Sequence, residues 1–299
     1  MFAAIDLGSN SFHLLIARAN EQGIEPFDRY GSKVQLAEGL VDSGRLTAAA
    51  MQRGYECLEE LRDHLNWFDV REVRAVGTHA LRVASNASQF VRDAEKILKV
   101  PIEVLSGEME AKLIYEGLHA GQQLQGSVLV IDIGGGSTEF ALGESDQLNL
   151  TFSEEMGCVT LRDQYFADGR INRENYDDAV NDVRQWVQLP ASQLDGHEWS
   201  EVWGSSGTLK AVARMLNGLH GCGFVIHRHQ LRALIKDMLR RRSAANLHYP
   251  DLNDDRKSVI IPGVIIINEL MDELGIETIR VSQASLREGL VWQMANPTF

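Results

Sequence analysis

A short motif occurs twice in the chain, about 126 residues apart, and it constrains the fold more than any other feature of the sequence. The first copy begins at Ala4 with AIDLGSNS, and the second begins at Val130 with VIDIGGGS. Each copy reads as an apolar strand interrupted by one aspartate, a turn of small residues and a second strand. Because a repeat of this kind marks duplicated structural units, we expect two copies of one α/β domain.

The segments that follow each motif support this duplication. After turns at 20–23 and 143–146, a third strand is expected in each copy, followed by alternating helices and strands in the outline β-β-β-α-β-α-β-α. The sequence therefore predicts an α/β fold with an N-terminal domain at 1–122 and a C-terminal domain at 123–299. The last helix, expected from Ser285, could pack back on the first domain. The two small-residue turns are expected to line a cleft between the domains.

Composition excludes several classes of protein. The 299 residues include 42 acidic and 29 basic side chains, which give a net charge of −13 and argue against a nucleic-acid-binding protein. The most apolar stretch, 259–267, is interrupted by Pro262-Gly263 and is shorter than the roughly 20 residues of a membrane span. The N-terminus lacks the features of a signal peptide, and the three widely spaced cysteines are typical of a reducing compartment. We therefore expect a cytoplasmic protein that binds neither membranes nor nucleic acid.

Three turns of small residues are candidate phosphate-binding loops. Their backbone N–H groups can converge on one anion, and glycine lets a phosphate approach the chain closely. They are Gly8-Ser9-Asn10-Ser11, Gly134-Gly135-Gly136-Ser137-Thr138 and Gly204-Ser205-Ser206-Gly207-Thr208. A single loop of this type is more often an ordinary tight turn. Two copies in the same strand-turn-strand context favour phosphate binding.

An aspartate precedes the first glycine of each repeated turn by two residues. These residues are Asp6 and Asp132. Aspartates at strand ends usually bond to turn amides, and that interpretation stays open. A carboxylate beside a bound phosphate would repel it unless a cation lay between them. Asp6, Asp132 or both are therefore candidate ligands of Mg²⁺, which prefers oxygen ligands.

Several segments, taken in order, resemble the motifs of the exopolyphosphatase / guanosine pentaphosphate phosphohydrolase (Ppx/GppA) family. They are 5–11 (IDLGSNS), 77–82 (GTHALR), 106–114 (SGEMEAKLI), 132–139 (DIGGGSTE), 204–208 (GSSGT) and 286–290 (LREGL). The resemblance spans essentially the whole chain and is to the short, two-domain members. It implies duplicated actin-like ATPase (ribonuclease H-like) domains, in agreement with the repeat.

The resemblance also implies roles for individual residues. It identifies Glu110 as the catalytic glutamate, whereas without it Glu108 and Glu110 would read as acids that complement a helix N-terminus. It assigns Glu139 to the network of metal and water. It places Arg82 and Lys33 where the family often keeps a cation near the phosphates, although either could be an ordinary surface charge.

The expected function is Mg²⁺-dependent hydrolysis of terminal phosphate from inorganic polyphosphate, with other divalent cations as possible substitutes. One alternative is hydrolysis of guanosine pentaphosphate (pppGpp), and another is an actin-like ATP-binding protein without polyphosphatase activity. A homodimer is compatible with the sequence.

Two further patterns bear on this function. The spacing of Cys222 and Arg228 matches the C-x5-R of cysteine phosphatases, although the intervening residues are bulky. Attraction of a polyanion to so acidic a chain has to be local, and Arg232, Lys236 and Arg240 would line the outer face of an amphipathic helix. That face could equally be an ordinary solvated surface.

Overall fold

The computed structural model describes residues 1–20, 23–122 and 124–297. Its strands are β1 (Phe2–Leu7), β2 (Ser11–Asn20), β3 (Gly23–Lys33), β4 (Glu72–Gly77), β5 (Ile102–Val104), β6 (Ser127–Ile133), β7 (Thr138–Glu144), β8 (Gln147–Glu154), β9 (Glu201–Ser205), β10 (Val225–His227) and β11 (Thr278–Val281). Its α-helices are α1 (Leu40–Ser43), α2 (Ala48–Leu65), α3 (His79–Val83), α4 (Ala87–Leu98), α5 (Gly107–Gly121), α6 (Cys158–Tyr165), α7 (Arg173–Trp186), α8 (Gln188–Leu194), α9 (Ser206–His220), α10 (Arg228–Arg241), α11 (Lys257–Glu273) and α12 (Leu286–Ala295). Short 3-10 turns cover Ala244–Asn246 and Asp254–Arg256.

The chain divides into two compact units. Unit 1 contains the residues up to 124 together with those from 284 onward, and unit 2 contains Gln125–Gln283. The last helix, α12, therefore belongs to unit 1, although it follows unit 2 in the sequence. The turn expected at 20–23 includes residues 21 and 22, which lie outside the described part of the chain.

The two units contain sheets of the same topology. In unit 1 the strand order is β3-β2-β1-β4-β5, with β1 antiparallel to β2 and parallel to β4. In unit 2 the order β8-β7-β6-β9-β11 repeats this arrangement, and β10 extends the sheet at the β11 edge. The duplication predicted from the repeated motif is thus confirmed at the level of strand order and direction.

Local sequence signals explain several elements of unit 1. Thr47 caps α2 by accepting a hydrogen bond from the Ala50 amide at 3.1 Å, as its position before a helical apolar pattern predicts. Helices α5 and α12 pack with their backbones in close contact, because Gly289 lies against the Leu113 carbonyl and Gly117 against that of Ser285. A side chain at either glycine would push the two helices apart.

The core of unit 2 lies around α11, whose residues 259–271 are all buried. Helix α11 runs through Pro262 and Gly263 without a break. Pro262 is the sixth residue of the helix, so its missing N–H removes the bond to the Ser258 carbonyl, and its ring crowds that carbonyl. Gly263 allows the Thr208 side chain to approach the helix backbone. None of the helices in the described ranges is both long enough and apolar enough to cross a membrane.

Candidate active site

In each unit, several of the residues predicted to be functional lie at or just after the carboxyl ends of parallel strands. In unit 1, Asp6 is near the end of β1, Arg82 is on the short helix after β4, and Glu110 is in the first turn of the helix after β5. In unit 2, Asp132 is the second-last residue of β6, and Ser205 is the last residue of β9. This edge is where open α/β sheets usually bind their ligands.

The first small-residue turn is held by the chain that follows β3. The Asn10 carbonyl oxygen accepts hydrogen bonds from the Val34 and Gln35 amides at 3.1 and 2.8 Å. A Cβ on Gly8 would lie 2.9 Å from the Ser11 carbonyl oxygen, so the turn is too tight for a side chain there. The last residue of β3, Lys33, pairs with Ser11 and therefore lies beside the turn. Asp6, the turn and Lys33 are thus brought together.

Glu110 is buried and faces a cation. Arg82 Nη1 lies 3.1 Å from Glu110 Oε2 and 3.1 Å from the Leu105 carbonyl oxygen. The neighbouring Glu108 is exposed, and its pKa is lowered by hydrogen bonds from its own amide and from Ser106. Glu108 therefore fits the ordinary use of an acid at a helix N-terminus, whereas Glu110 is held in a separate, buried environment.

His79 lies in the same region as Arg82. Its side chain is buried, and its Nδ1 has no hydrogen-bond partner among the described residues. Burial, with a smaller contribution from the Arg82 charge, lowers the His79 pKa to about 4. The ring is therefore neutral at physiological pH and leaves Arg82 as the cation beside Glu110.

The second small-residue turn is fixed to the start of α6. The Gly134 amide donates to the Ser137 carbonyl at 2.9 Å, which closes the turn. The Gly134 carbonyl accepts from the Cys158 amide at 3.0 Å, and the Gly135 carbonyl accepts from Val159 at 2.7 Å. A Cβ on Gly157 would collide with the backbone of Gly135 and Gly136, so this approach requires glycine.

The last residue of this predicted loop, Thr138, is the first residue of β7. Thr138 Oγ1 donates to the Met156 carbonyl at 2.6 Å, and both Ser137 and Thr138 are buried. The hydroxyl of Thr138 therefore stabilises the loop from inside.

Asp132 and Glu139 are direct cross-strand partners on β6 and β7, so their side chains lie on the same face of the sheet. Both are buried, and Glu139 Oε1 accepts a hydrogen bond from Ser153 Oγ at 2.9 Å. The corresponding pair in unit 1 is Asp6 and His13. The duplication thus preserves the aspartate and changes its partner, which leaves the carboxylate pair only in unit 2.

The carboxylate pair of unit 2 offers the oxygen ligands that Mg²⁺ prefers. Within the described ranges, no group of three or more histidine, cysteine or acidic side chains could hold a metal ion. Mg²⁺ is usually bound through one or two carboxylates, with water and substrate phosphate completing its coordination. Asp132 and Glu139 could hold it in that way.

The third small-residue turn lies between β9 and α9. Ser206 has a left-handed backbone (φ +84°), and its Oγ accepts from the Thr208 amide at 3.1 Å. The Arg256 guanidinium covers Gly207, where a Cβ would collide with it. Sequence reasoning missed Arg256, because 49 positions separate the two residues and no local pattern links them.

The cysteine-phosphatase alternative is wrong. Arg228 would have to bind phosphate, but its guanidinium contacts the carboxylates of Asp272 and Glu277. Strand β10 separates Cys222 from Arg228, and the Cys222 thiol lies near the Val225 carbonyl at 3.6 Å. The two side chains therefore do not form a phosphate-binding loop.

Comparison with known proteins agrees with this architecture. The model of the Ppx/GppA phosphatase family matches residues 15–297. A Haemophilus influenzae protein named "Putative exopolyphosphatase" is 38% identical over 292 residues, which cover 98% of this chain and 90% of that protein. The crystal structure of an exopolyphosphatase from Cytophaga hutchinsonii has a TM-score of 0.90 at 25% identity and covers 100% of this chain and 98% of its own. An Aquifex aeolicus Ppx/GppA family member has a TM-score of 0.81 at 23% identity, with coverage of 100% and 98%.

The fold is a duplicated α/β fold with a small-residue turn at the strand ends of each unit. The chain belongs to the Ppx/GppA phosphatase family.

Proposed function

We propose that this protein is a Mg²⁺-dependent exopolyphosphatase that releases the terminal phosphate of inorganic polyphosphate. The observation that carries the proposal is the buried Glu110 carboxylate held by Arg82 at the strand ends of unit 1. A carboxylate fixed in this way is suited to orient a water molecule and accept its proton. Because the chain belongs to the Ppx/GppA phosphatase family, the proposed substrate class is a phosphoanhydride.

Hydrolysis of a phosphoanhydride depends mainly on positioning and on stabilisation of negative charge. In the proposed reaction, water attacks the terminal phosphorus in line with the leaving oxygen while Glu110 accepts its proton. In each unit, backbone amides of the small-residue turns (8–11 in unit 1, 134–138 and 205–207 in unit 2) are the proposed donors to phosphate oxygens, and Lys33 and Arg82 are the proposed cations of unit 1. Arg82 also keeps the Glu110 carboxylate in one orientation.

Mg²⁺ is the proposed cofactor, held by Asp132 and Glu139, directly or through water, with Asp6 as a further candidate. When bound, the ion would neutralise phosphate charge and leave the phosphorus more open to attack. Ser153 has a supporting role here, because its hydroxyl orients the Glu139 carboxylate by a 2.9 Å hydrogen bond.

One activity panel tests the proposal. Phosphate release is measured from long-chain polyphosphate, pppGpp and ATP at the same Mg²⁺ concentration, with Glu110→Gln as the inactive control. We expect release from polyphosphate that depends on Mg²⁺ and disappears in the variant. Release from pppGpp alone would favour the guanosine pentaphosphate alternative, and release from ATP alone would contradict the exopolyphosphatase proposal.

A further inference from the structure

The C-terminal half of α10 carries exposed basic side chains. Lys236 and Arg240 are exposed on this helix, and exposed Arg242 follows it directly. None of the three forms an ion pair within 4 Å in the part of the chain that the structure describes. We call these three residues the α10 cationic end.

The other basic residues of the same helix are already engaged. Arg232 lies 2.6 Å from Asp272, and Arg228 contacts the same carboxylate. Arg241 lies 2.9 Å from Asp237 and stacks on the ring of Tyr249. The sequence predicts one basic face that includes Arg232, whereas in the structure Arg232 is paired with Asp272 and the cationic end has no ion pair within 4 Å among the described residues.

Packing keeps the cationic end in solvent. The opposite side of α10 is apolar, and its buried residues are Leu231, Leu234, Ile235 and Met238. Because Lys236 and Arg240 are four residues apart, they lie one helical turn from each other on the outer side. A run of phosphates could therefore contact successive cations without any rearrangement of the helix.

The contacts of α10 with α11 show which end of α11 lies near the cationic end. Arg228 and Arg232, at the start of α10, contact Asp272 near the end of α11, so the two packed helices run antiparallel. The cationic end therefore lies toward the start of α11. Arg256, the residue before α11, covers Gly207 in the loop after β9.

We propose that the α10 cationic end binds internal phosphates of a polyphosphate chain while its terminal phosphate is being hydrolysed. This inference rests on the function proposed above and extends it to the part of the substrate beyond the cleaved bond. Each internal phosphate carries a negative charge, whereas the protein as a whole carries −13, so attraction has to be local. Screening limits such attraction to about 8–10 Å at physiological salt, so the cations have to lie close to the phosphates that they bind.

The test compares a long and a short substrate in matched variants. Arg240→Gln/Arg242→Gln removes two charges from the cationic end, and Arg232→Gln removes an already neutralised charge from the same helix. The Michaelis constant (KM) is measured for long-chain polyphosphate and for tripolyphosphate over a range of salt concentrations. Lys236→Gln provides a second, single-charge variant.

We expect the double variant to raise KM several-fold for the long chain, with a much smaller change for tripolyphosphate. The slope of log KM against log salt for the long chain should fall by roughly 0.7 for each charge removed, as for other single-stranded polyanions. Arg232→Gln should behave as the unmodified protein. Equal effects on both substrates, or no effect on the long chain, would overturn the proposal.

A binding measurement separates this inference from the proposed function. Affinity for long-chain polyphosphate is measured with Glu110→Gln present in every variant, so that turnover does not interfere. Suppose that the unmodified protein hydrolyses neither long-chain polyphosphate nor tripolyphosphate, but that Arg240→Gln/Arg242→Gln lowers the affinity for the long chain. In that case the proposed function fails and the binding site stands. If hydrolysis is normal and this affinity is unchanged by the double variant, the binding site fails alone.

Discussion

Arg82 Nη1 lies 3.1 Å from Glu110 Oε2, although the two residues follow different strands of the unit 1 sheet. The same nitrogen is 3.1 Å from the Leu105 carbonyl at the end of the strand that leads to Glu110. One guanidinium therefore connects the segments after β4 and β5. The carboxylate is therefore oriented by the fold, as the proposed role of general base requires.

Replacing Glu110 by glutamine should remove the proton acceptor while conserving shape. We expect kcat for phosphate release to fall by about 10²–10⁴-fold, the usual contribution of a positioned general base. Glu108→Gln is the matched control, since Glu108 is in the same helical turn but exposed. A similar loss of kcat in both variants would contradict the prediction. It would mean that activity depends on negative charge at the helix N-terminus and not on a base at position 110.

Arg82 is expected to act through Glu110 as well as on phosphate. Arg82→Gln should lower kcat, because the carboxylate loses the donor that orients it. Arg82→Lys keeps the charge but not the planar fork of donors, so it should recover only part of the loss. Steady-state kinetics of the two variants checks this prediction, and full recovery with lysine would show that charge alone suffices.

Metal dependence should follow the carboxylates of unit 2. Asp132→Asn and Glu139→Gln are each expected to raise the Mg²⁺ concentration needed for half-maximal activity by about tenfold or more, because one or two carboxylates usually hold this ion. Asp146→Asn, in the exposed turn after β7, is the control. Isothermal calorimetry with Mg²⁺ alone gives a readout independent of turnover. Unchanged binding in both site variants would exclude this pair as the ligands.

His79 should make the protein sensitive to mild acid. Its pKa is about 4 in the folded protein, whereas the ordinary value of 6.5 applies to the unfolded chain. Between pH 6.5 and pH 4, therefore, the unfolded chain binds a proton at His79 and the folded protein does not. Stability is therefore lost as pH falls from 6.5 toward 4, and at pH 5 the loss is about 2 kcal/mol. Urea unfolding gives the free energy of unfolding at pH 7.5 and pH 5. The decrease in this free energy between the two pH values should be smaller in His79→Gln by about this amount. The exposed His220→Gln should retain it.

Local signals predicted much of this molecule. The repeated strand-turn-strand motif identified both sheets, because hairpins and apolar alternation are encoded within a few residues. Helices with clear periodicity and caps, such as α2 after Thr47, were also predictable. Helices α1, α3 and α8 and strand β10 were not, since each contains only three to seven residues and has no periodic pattern.

Contacts between residues far apart in sequence could not be predicted in the same way. Asp272 neutralises Arg232 from 40 positions away, and this contact decides which cations of α10 remain available. Arg256 approaches Gly207 from another element, again without a local signal. A single sequence gives residue types and spacing, whereas charge pairing of this kind depends on how helices pack.

The position of α12 has a consequence for the order of synthesis. A ribosome makes residues 125–283 after the sheet of unit 1 and before the helix that packs on α5. At about 5–20 residues per second, the nascent chain spends roughly 10–30 s with the α12-binding side of α5 uncovered. Unit 2 can complete its own core during this interval, whereas unit 1 must wait for the last segment to be translated.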